Sequence, residues 1–324
     1  MYRGRMSYCR AYAREGSLYP SDKSQQRADD RTPIREGLES GALVSHDGRV
    51  LRMIASQSIR ECVIAREMNF LAPYATQDLI RVGKASDGGY VLPVWLTKEA
   101  DFLGSFGLND DWSFDEQFRR LNPSAVIHGY DHSISEREFA IRLARSVANV
   151  TLGKESPHAV GHGINTIRSY RQFYQGATRH FRQRIFNRLD TPCDVTLNGV
   201  LERTNARKGL LKIDIGGREY RIIDDVIRSA DRILGLIMEF HDTEPLRMVF
   251  LESVRKLQEH FSIVHLHGNN HAGVAADGLP EALEVTFVQK SRISTREKRV
   301  LLPLAGVDCP NNPNVPEYGL RFAA

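Results

Sequence analysis

Three residues in the second half of the chain have side chains that can bind a metal ion or accept a proton. Asp214 lies in the apolar run at residues 210–215, and Glu239 and His241 stand two residues apart at the end of another such run. Residues two apart in a strand share one face, so Glu239 and His241 are predicted to point the same way. A carboxylate is costly to bury without a partner, which makes Asp214 a candidate site residue. The three side chains predict a catalytic base or a divalent metal site, and the metal stays unknown.

A second set of residues could bind a ligand that contains adenosine. Gly104, Ser105, Phe106 and Gly107 follow one apolar run, and Asp131 ends the next one. In a doubly wound α/β sheet, the turn after the first strand lets the backbone approach a ligand. An acid at the end of the second strand can then bind the two hydroxyls of a ribose. The alternative for the glycines is an ordinary tight turn.

Two neighbouring segments could complete this binding site. Asp110 and Asp111 could orient the amino group of the ligand, or they could cap the helix that follows. Asp87, Gly88 and Gly89 favour a turn, and a hairpin turn and a ligand-binding loop fit them equally well.

The alternation of apolar runs and helical patterns predicts the elements that would position these residues. Strands are expected at residues 101–106, 125–130, 148–152, 210–215, 232–240, 262–267 and 282–288. Helices are expected at residues 111–121, 136–146, 220–229 and 245–260. This order predicts a doubly wound, mostly parallel seven-stranded Rossmann-like sheet. The last strand follows without a helix and is therefore expected to be antiparallel.

The chain divides into three parts by composition. Residues 1–45 are polar and predict a flexible extension, and residues 46–78 have helical apolar spacing, with Ile59 and Val63 in the predicted buried stripe. Residues 79–324 form the α/β domain, with a helical insertion at about 154–207. The insertion carries arginines and aromatics from Tyr170 to Arg184, which could recognise a phosphorylated sugar or a glycan. A charge-rich amphipathic helix is the commoner explanation of such a run.

Composition limits the partners and the location of the protein. The 324 residues carry a net charge of +4, which does not favour a nucleic-acid partner. There is no apolar run near the roughly 18 residues that a membrane span needs, and the first residues lack the apolar core of a secretory signal. The four cysteines are widely spaced and form no metal-binding pair. A cytoplasmic protein is expected, and its oligomeric state is left open.

Several of these segments together resemble the FkbM-like methyltransferases, a group with the class I S-adenosylmethionine-dependent fold. Residues 212–219, Lys-Ile-Asp-Ile-Gly-Gly-Arg-Glu, are similar to that group's K-[IM]-D-[VI]-E-G-x-E segment. Residues 237–241, Ile-Met-Glu-Phe-His, are similar to its fifth strand, and residues 266–270, 283–287 and 308–313 also fit the group. The family's first glutamate in the K-x-D segment is Gly216 here. The first-strand loop also lacks the common acid-x-G-x-G form.

The resemblance implies S-adenosylmethionine as cofactor and O-methylation of a carbohydrate or a secondary metabolite, a small-molecule or glycan acceptor. Asp214, Glu239 or His241 would then be the base, or would hold a metal that lowers the pKa of the acceptor hydroxyl; the metal is possible but not favoured. One alternative is a nicotinamide-dependent oxidoreductase, although no GxGxxG spacing follows the first strand. Another is a non-catalytic, methyltransferase-like binding protein, in which Gly216 in place of the family's glutamate marks the loss of activity.

Overall fold

The computed structural model describes residues 58–323 of the chain. The predicted extension at residues 1–45 and the first part of the predicted helical segment, to residue 57, lie outside the described residues.

The strands are numbered in chain order. They are β1 (Ile59–Ile64), β2 (Leu79–Val82), β3 (Tyr90–Pro93), β4 (Phe102–Phe106), β5 (Val126–Tyr130), β6 (Thr178–Phe181), β7 (Arg184–Ile185), β8 (Asp194–Val195), β9 (Gly209–Ile213), β10 (Ile233–Phe240), β11 (Phe261–Gly268), β12 (Leu283–Gln289), β13 (Leu301–Leu302) and β14 (Glu317–Phe322).

The α-helices are numbered in the same way. They are α1 (Val94–Glu99), α2 (Ser113–Leu121), α3 (Glu136–Thr151), α4 (Pro157–Phe173), α5 (Leu197–Thr204), α6 (Ile223–Arg228) and α7 (Arg247–Leu257). Short 3-10 helices occupy Arg66–Leu71, Glu219–Arg221, Ala230–Arg232 and Lys290–Arg292.

Seven strands form the central sheet, in the order β6-β5-β4-β9-β10-β12-β11. All neighbouring pairs from β6 to β10 are parallel, whereas β12 runs antiparallel to both β10 and β11. The predicted doubly wound, mostly parallel Rossmann-like sheet with a final antiparallel strand is therefore confirmed.

The sheet is buried on both faces. Successive residues of β9 illustrate this: Leu211 and Ile213 belong to one apolar cluster, and Leu210 belongs to another. Side chains alternate between the faces of a strand, so each face packs against its own layer. Burial on both faces explains why the central strands are continuous apolar runs in the sequence.

The chain leaves β4 in two directions. It first adds β5 and β6 on one side, and it later adds β9 and β10 on the other. The crevice at the carboxyl ends of β4 and β9 is therefore the topological switch point, which is where ligands bind in open α/β sheets.

The predicted third strand at residues 148–152 is wrong, because these residues lie at the end of α3 and just beyond it. The third strand of the sheet is β6, which pairs with β5 through Ile127 and Thr178. The β-branched Val150 and Thr151 favoured a strand, but α3 continues through them. The predicted helical insertion is accordingly mixed, and it contains α4, β6, β7, β8 and α5.

The predicted helical segment before residue 78 is also corrected. Residues 59–64 form strand β1, which pairs in parallel with β14 at the far end of the chain. Cys62 and Ile64 are buried, whereas Ile59 and Val63 are 61% and 60% exposed. These residues form a strand because they pair with a segment more than 250 residues away in sequence. Local apolar spacing carries no information about such a pairing.

None of the helices between residues 58 and 323 is long and apolar enough to cross a membrane.

Candidate active site at the carboxyl edge of the sheet

A cavity of about 350 Å³ opens at the switch point of the sheet. The residue that directly follows each of β4, β5, β9 and β10 lines it: Gly107, Asp131, Asp214 and His241. The volume falls in the range of roughly 300–1,000 Å³ that is usual for small-molecule sites. The sheet thus brings four of the predicted site residues to one cavity.

Gly107 brings the ends of β4 and β9 into contact. Its φ angle is +78°, and a Cβ atom there would lie 1.7 Å from the carbonyl oxygen of Asp214. A side chain is excluded both by the backbone conformation and by this contact. The glycine therefore fixes the position of Asp214 relative to the first turn.

Asp131 ties the first turn to the end of β5. Its Oδ2 accepts hydrogen bonds from the backbone N–H groups of Leu108 (3.0 Å) and Asn109 (2.9 Å). Its Oδ1 accepts from the backbone N–H (2.7 Å) and the hydroxyl (2.6 Å) of Ser133. A carboxylate has about four acceptor positions, so a ribose hydroxyl would bind Asp131 by displacing the freely rotating hydroxyl of Ser133.

His241 is held by a buried carboxylate and faces two others. Its Nδ1 lies 3.1 Å from Oε1 of Glu219, and its Nε2 lies 3.8 Å from Asp214 and 3.7 Å from Glu239. The same Glu219 oxygen accepts hydrogen bonds from the backbone N–H groups of Ile215 and Gly217. Glu219 therefore sets the orientation of the ring and directs Nε2 toward the other two carboxylates.

The hydroxyl of Tyr90 bridges the two carboxylates. It lies 3.2 Å from Asp214 Oδ2 and 3.2 Å from Glu239 Oε2. A tyrosine hydroxyl has one proton and can donate to only one of them. Both contacts are hydrogen bonds if Glu239 is protonated and donates to Tyr90, which then donates to Asp214. On its other oxygen, Glu239 accepts a hydrogen bond from Asn269 Nδ2 at 2.8 Å.

The pKa values agree with this arrangement of protons. Burial, together with the charges of Asp214 and Glu284, raises the pKa of Glu239 to about 8. Burial alone would lower the pKa of His241, but the hydrogen bond and charge of Glu219, with the charges of Glu239 and Asp214, raise it to about 9. Both values lie above neutral pH, so both groups favour their protonated forms there, and the charges of Glu219 and Asp214 hold the proton on His241.

Asp214 is the carboxylate of the cluster that faces the cavity most openly. Its side chain is 31% exposed, whereas that of Glu239 is 6% exposed. Burial raises the pKa of Asp214, and the positive charges of Lys212 and His241 oppose that shift. The ammonium of Lys212 lies 3.8 Å from Asp214 and 5.0 Å from the centre of the Tyr90 ring.

Ligand atoms of Asp214, Glu239 and His241 lie within 4.8 Å of one another, which is close enough to hold a metal ion. Carboxylate and imidazole groups suit several divalent metals. The imidazolium of His241 supplies positive charge at the same place, so the carboxylates are balanced without an ion.

Three of the predicted cofactor residues lie inside β4 and do not line the cavity. Gly104 packs against Phe102 and Leu211, and the Ser105 hydroxyl bonds the buried Asp115. Phe106 stacks on Tyr130 at a centroid distance of 5.2 Å. These residues hold the strand in place, and only Gly107 of the segment faces the cavity.

The two acids after the first turn have side chains in different surroundings. Asp110 is exposed and lines a smaller cavity between α3 and α4. Asp111 accepts a hydrogen bond from the backbone N–H of Ser113 at the start of α2, and it pairs with Lys84 at 2.9 Å. Asp111 thus accepts the first N–H of α2, although the N-cap position itself is Trp112 and has no side-chain cap hydrogen bond.

The Asp87–Gly89 turn lies against this loop. A Cβ atom on Gly88 would lie 2.3 Å from Oδ2 of Asp111, and the Asp87 carboxylate accepts a hydrogen bond from Asn311. The turn joins β2 and β3, which pair as an antiparallel hairpin. It stands beside the first turn and outside the set of residues that line the cavity.

The two histidines of β11 are buried and paired. His265 lies 3.1 Å from Asp308. His267 lies between Glu284 (3.2 Å) and Glu317 (3.3 Å). These two contacts connect β11 to β12 and β14, so His267 has a structural role.

Sequence reasoning missed Glu219, Tyr90 and Asn269 as members of the cluster. Glu219 had a signal, because it is the last glutamate of the K-x-D-x-x-G-x-E segment. Tyr90 had none, since an aromatic residue in a strand is common in any sheet, and Asn269 lies in the segment 266–270 of the resemblance, which marks no role for it.

Comparisons with known proteins give similar structures only. No family model matches the chain, and no curated protein matches it. Among similar solved structures is precorrin-6y C5,15-methyltransferase from Geobacter metallireducens, with 11% identity, a TM-score of 0.30, and coverage of 61% of this chain and 85% of that one. An rRNA methylase from Streptococcus thermophilus has 12% identity, a TM-score of 0.32, and coverage of 60% and 90%. A fibrillarin pre-rRNA processing protein from Methanococcus jannaschii has 8% identity, a TM-score of 0.31, and coverage of 62% and 70%.

The prediction against a nucleic-acid partner is withdrawn; an rRNA methylase and a pre-rRNA processing protein stand among the similar structures. The exclusion rested on net charge, which does not report how charge is distributed. Helix α4, for example, contains Arg168 and Arg171 and no acidic residue.

Proposed function

We propose that this protein transfers a methyl group from S-adenosylmethionine to a hydroxyl oxygen. One observation carries the proposal: the ribose-type acid Asp131 and the cluster of Asp214 and His241 line a single cavity at the switch point of the sheet. The resemblance to the FkbM-like methyltransferases supports a carbohydrate or a secondary metabolite as the source of that hydroxyl.

The cavity suits the cofactor in size and in the residues around it. Asp131 would hold the ribose hydroxyls once the Ser133 hydroxyl turns away, and Gly107 lines the same cavity. Gly216 also lines the cavity, and a Cβ atom there would meet nothing within 4 Å. When bound, the cofactor supplies an electrophilic methyl group on a sulfonium.

Asp214 is the residue that takes the proton of the acceptor hydroxyl. A base must be unprotonated at the working pH, and the pKa values of His241 and Glu239, about 9 and about 8, favour their protonated forms at neutral pH. The positive charges of Lys212 and His241 oppose the rise that burial causes in the pKa of Asp214. The hydroxyl proton passes to a carboxylate oxygen of Asp214, and the acceptor oxygen gains nucleophilic character as it leaves. Tyr90 and Lys212 keep the carboxylate in place.

His241 has a separate task in this scheme. Its Nε2 is too far from Asp214 and Glu239 for a direct hydrogen bond, at 3.8 Å and 3.7 Å. An acceptor oxygen beside Asp214 therefore meets a positively charged N–H donor, which orients it.

A nicotinamide-dependent oxidoreductase fits less well. The turn after β4 reads Gly107, Leu108, Asn109, Asp110, without the further glycine that the dinucleotide fingerprint places close to the pyrophosphate.

The test is a radiolabelled methyl-transfer assay with S-adenosylmethionine and a panel of glycans, phenolic metabolites and RNA. We expect alkali-stable label on a hydroxyl-bearing acceptor with the wild type and none with Asp214→Asn. Absence of transfer to every acceptor, with S-adenosylhomocysteine still binding, would favour the non-catalytic alternative.

A further inference from the structure

An arginine cluster adjoins the cavity and has no task in the proton transfer. Arg184 comes from β7, and Arg218 and Arg221 come from the segment after β9. Arg184 and Arg218 both line the cavity that Asp214 and His241 line. A ligand of these two arginines would therefore lie beside the proposed catalytic residues.

The positive charge of this arginine cluster is only partly neutralised. Arg184 Nε lies 2.6 Å from the carboxylate of Asp194. Between residues 58 and 323, neither Arg218 nor Arg221 has a carboxylate within ion-pair distance. Among the residues that the structure describes, nothing neutralises these two guanidinium groups by an ion pair, so they are available to bind an anion.

The structure holds these like charges close together. The guanidinium groups of Arg184 and Arg221 lie 5.1 Å and 5.5 Å from the ring centre of Phe186, which is buried. Burial lowers the pKa of Arg218, and the positive charges of Arg184 and Arg221 lower it further, against the opposing charge of Glu219. Such an arrangement is unfavourable by itself, and a bound anion would relieve it.

The chemistry of the cluster selects the kind of anion. The planar guanidinium fork matches the paired oxygens of phosphate, with charge-assisted hydrogen bonds. His132 also lines the cavity, and burial with the charges of Arg184 and Arg218 lowers its pKa, against the opposing charge of Asp131. The His132 ring is therefore neutral and can donate a hydrogen bond to a phosphate oxygen.

We propose that Arg218, with Arg184 and Arg221, binds a phosphate group of the methyl acceptor, so that the substrates of this protein are phosphorylated. This proposal rests on the proposed function, since it assigns the phosphate to the acceptor and the Asp131 side of the cavity to the cofactor. The phosphate can come from a small phosphate ester or from a nucleic-acid strand.

The first experiment titrates the intact protein with inorganic phosphate by calorimetry. Arg218→Gln should weaken binding by at least about tenfold, because charge-assisted hydrogen bonds are lost. Arg188→Gln is the matched control: Arg188 lies 6.0 Å from the same Phe186 ring, pairs with Asp190 and does not line the cavity. It should bind phosphate like the wild type, and circular dichroism should show both variants folded.

A second titration places the phosphate relative to the cofactor. With S-adenosylhomocysteine present at saturation, phosphate should still bind to the wild type with its affinity unchanged or higher. Mutual exclusion would overturn the proposal, because the arginines would then belong to the cofactor site. Equal phosphate binding by the wild type and Arg218→Gln would overturn it as well.

Titrations with ribose 5-phosphate and with a short single-stranded RNA distinguish the two sources of the phosphate. A single phosphate ester should show a slope of log affinity against log salt near −1, and a bound strand should show a steeper one. Failure of S-adenosylhomocysteine to bind would sink the proposed function, while retained phosphate binding that depends on Arg218 would leave the anion site standing.

Discussion

The Nδ1 atom of His241 lies 3.1 Å from Oε1 of Glu219, a carboxylate with no exposed surface. This contact determines both the direction and the charge of the ring. The carboxylate fixes the proton on Nδ1 and raises the pKa of the imidazole against the effect of burial, to about 9. His241 is therefore a cation in the site at neutral pH, and the role of base falls to Asp214.

The two carboxylates bridged by Tyr90 should respond differently to replacement by their amides. Asp214→Asn should abolish turnover and leave the dissociation constant of S-adenosylhomocysteine largely unchanged, because the base is lost. Glu239→Gln mimics the protonated form and should keep most activity at pH 7. Steady-state kinetics on both variants would measure this, and full activity of Asp214→Asn would show that the acceptor is activated elsewhere.

The pH dependence of kcat should distinguish a cationic His241 from a basic one. In this account kcat is sustained near neutral pH and falls as the pH rises through about 9, where His241 loses its proton. If His241 were the base instead, kcat would rise through the same range, since a base must be unprotonated. Addition of a chelator should leave the profile unchanged if no metal is required.

Asp131 and Ser133 should have opposite effects on cofactor affinity. Asp131→Ala removes charge-assisted hydrogen bonds worth about 1.5–3 kcal/mol, so the dissociation constant of S-adenosylhomocysteine should rise at least about tenfold. Ser133→Ala frees one acceptor position on Asp131 and should leave affinity unchanged or improved. An unchanged dissociation constant in Asp131→Ala would reject the ribose assignment.

Gly107 and Gly216 form a matched pair for the stability of the site. Both have positive φ, so alanine at either position should cost about 1–2 kcal/mol from backbone conformation. At Gly107 the new Cβ also meets the carbonyl oxygen of Asp214, whereas at Gly216 it meets nothing. Urea unfolding should therefore show a loss for Gly107→Ala of at least about 3 kcal/mol; equal losses in the two variants would contradict the contact.

His267 should stabilise the fold in a pH-dependent manner. Burial lowers its pKa, but Glu284 and Glu317 outweigh this effect and raise it from 6.5 to about 10. The stabilisation is therefore complete below pH 6.5 and is lost as the pH rises toward 10. His267→Gln should reduce the free energy of unfolding by about 3–5 kcal/mol at pH 6 and by less at pH 9.

The exposed His260 provides the control for that experiment. His260→Gln should leave unfolding nearly unchanged at both pH values. A difference between the wild type and His267→Gln that grows with pH would show that the buried ring is neutral.

Much of the fold could be predicted because central strands are buried on both faces. The apolar runs at β4, β5, β9, β10, β11 and β12 are visible in the sequence, and their ends place Asp131, Asp214 and His241 at one edge. The antiparallel direction of β12 follows from its connection without a helix, whereas its place between β10 and β11 was not predicted.

The remaining features depend on contacts between distant parts of the chain. Strand β1 exists because it pairs with β14, and β6 because Thr178 pairs with Ile127. The Tyr90 bridge joins residues more than 100 positions apart. Local spacing does not contain these pairings, so neither the short strands nor the full proton network could be read from it.

The central claim is that the cavity at the switch point binds S-adenosylmethionine, and calorimetry on the intact protein tests it most directly. S-adenosylhomocysteine, S-adenosylmethionine and NAD⁺ would be titrated separately into the wild type and Asp131→Ala. The account predicts saturable binding of the two S-adenosyl ligands to the wild type, at least about tenfold weaker binding to Asp131→Ala, and no binding of NAD⁺. Binding of NAD⁺ without binding of either S-adenosyl ligand would contradict it.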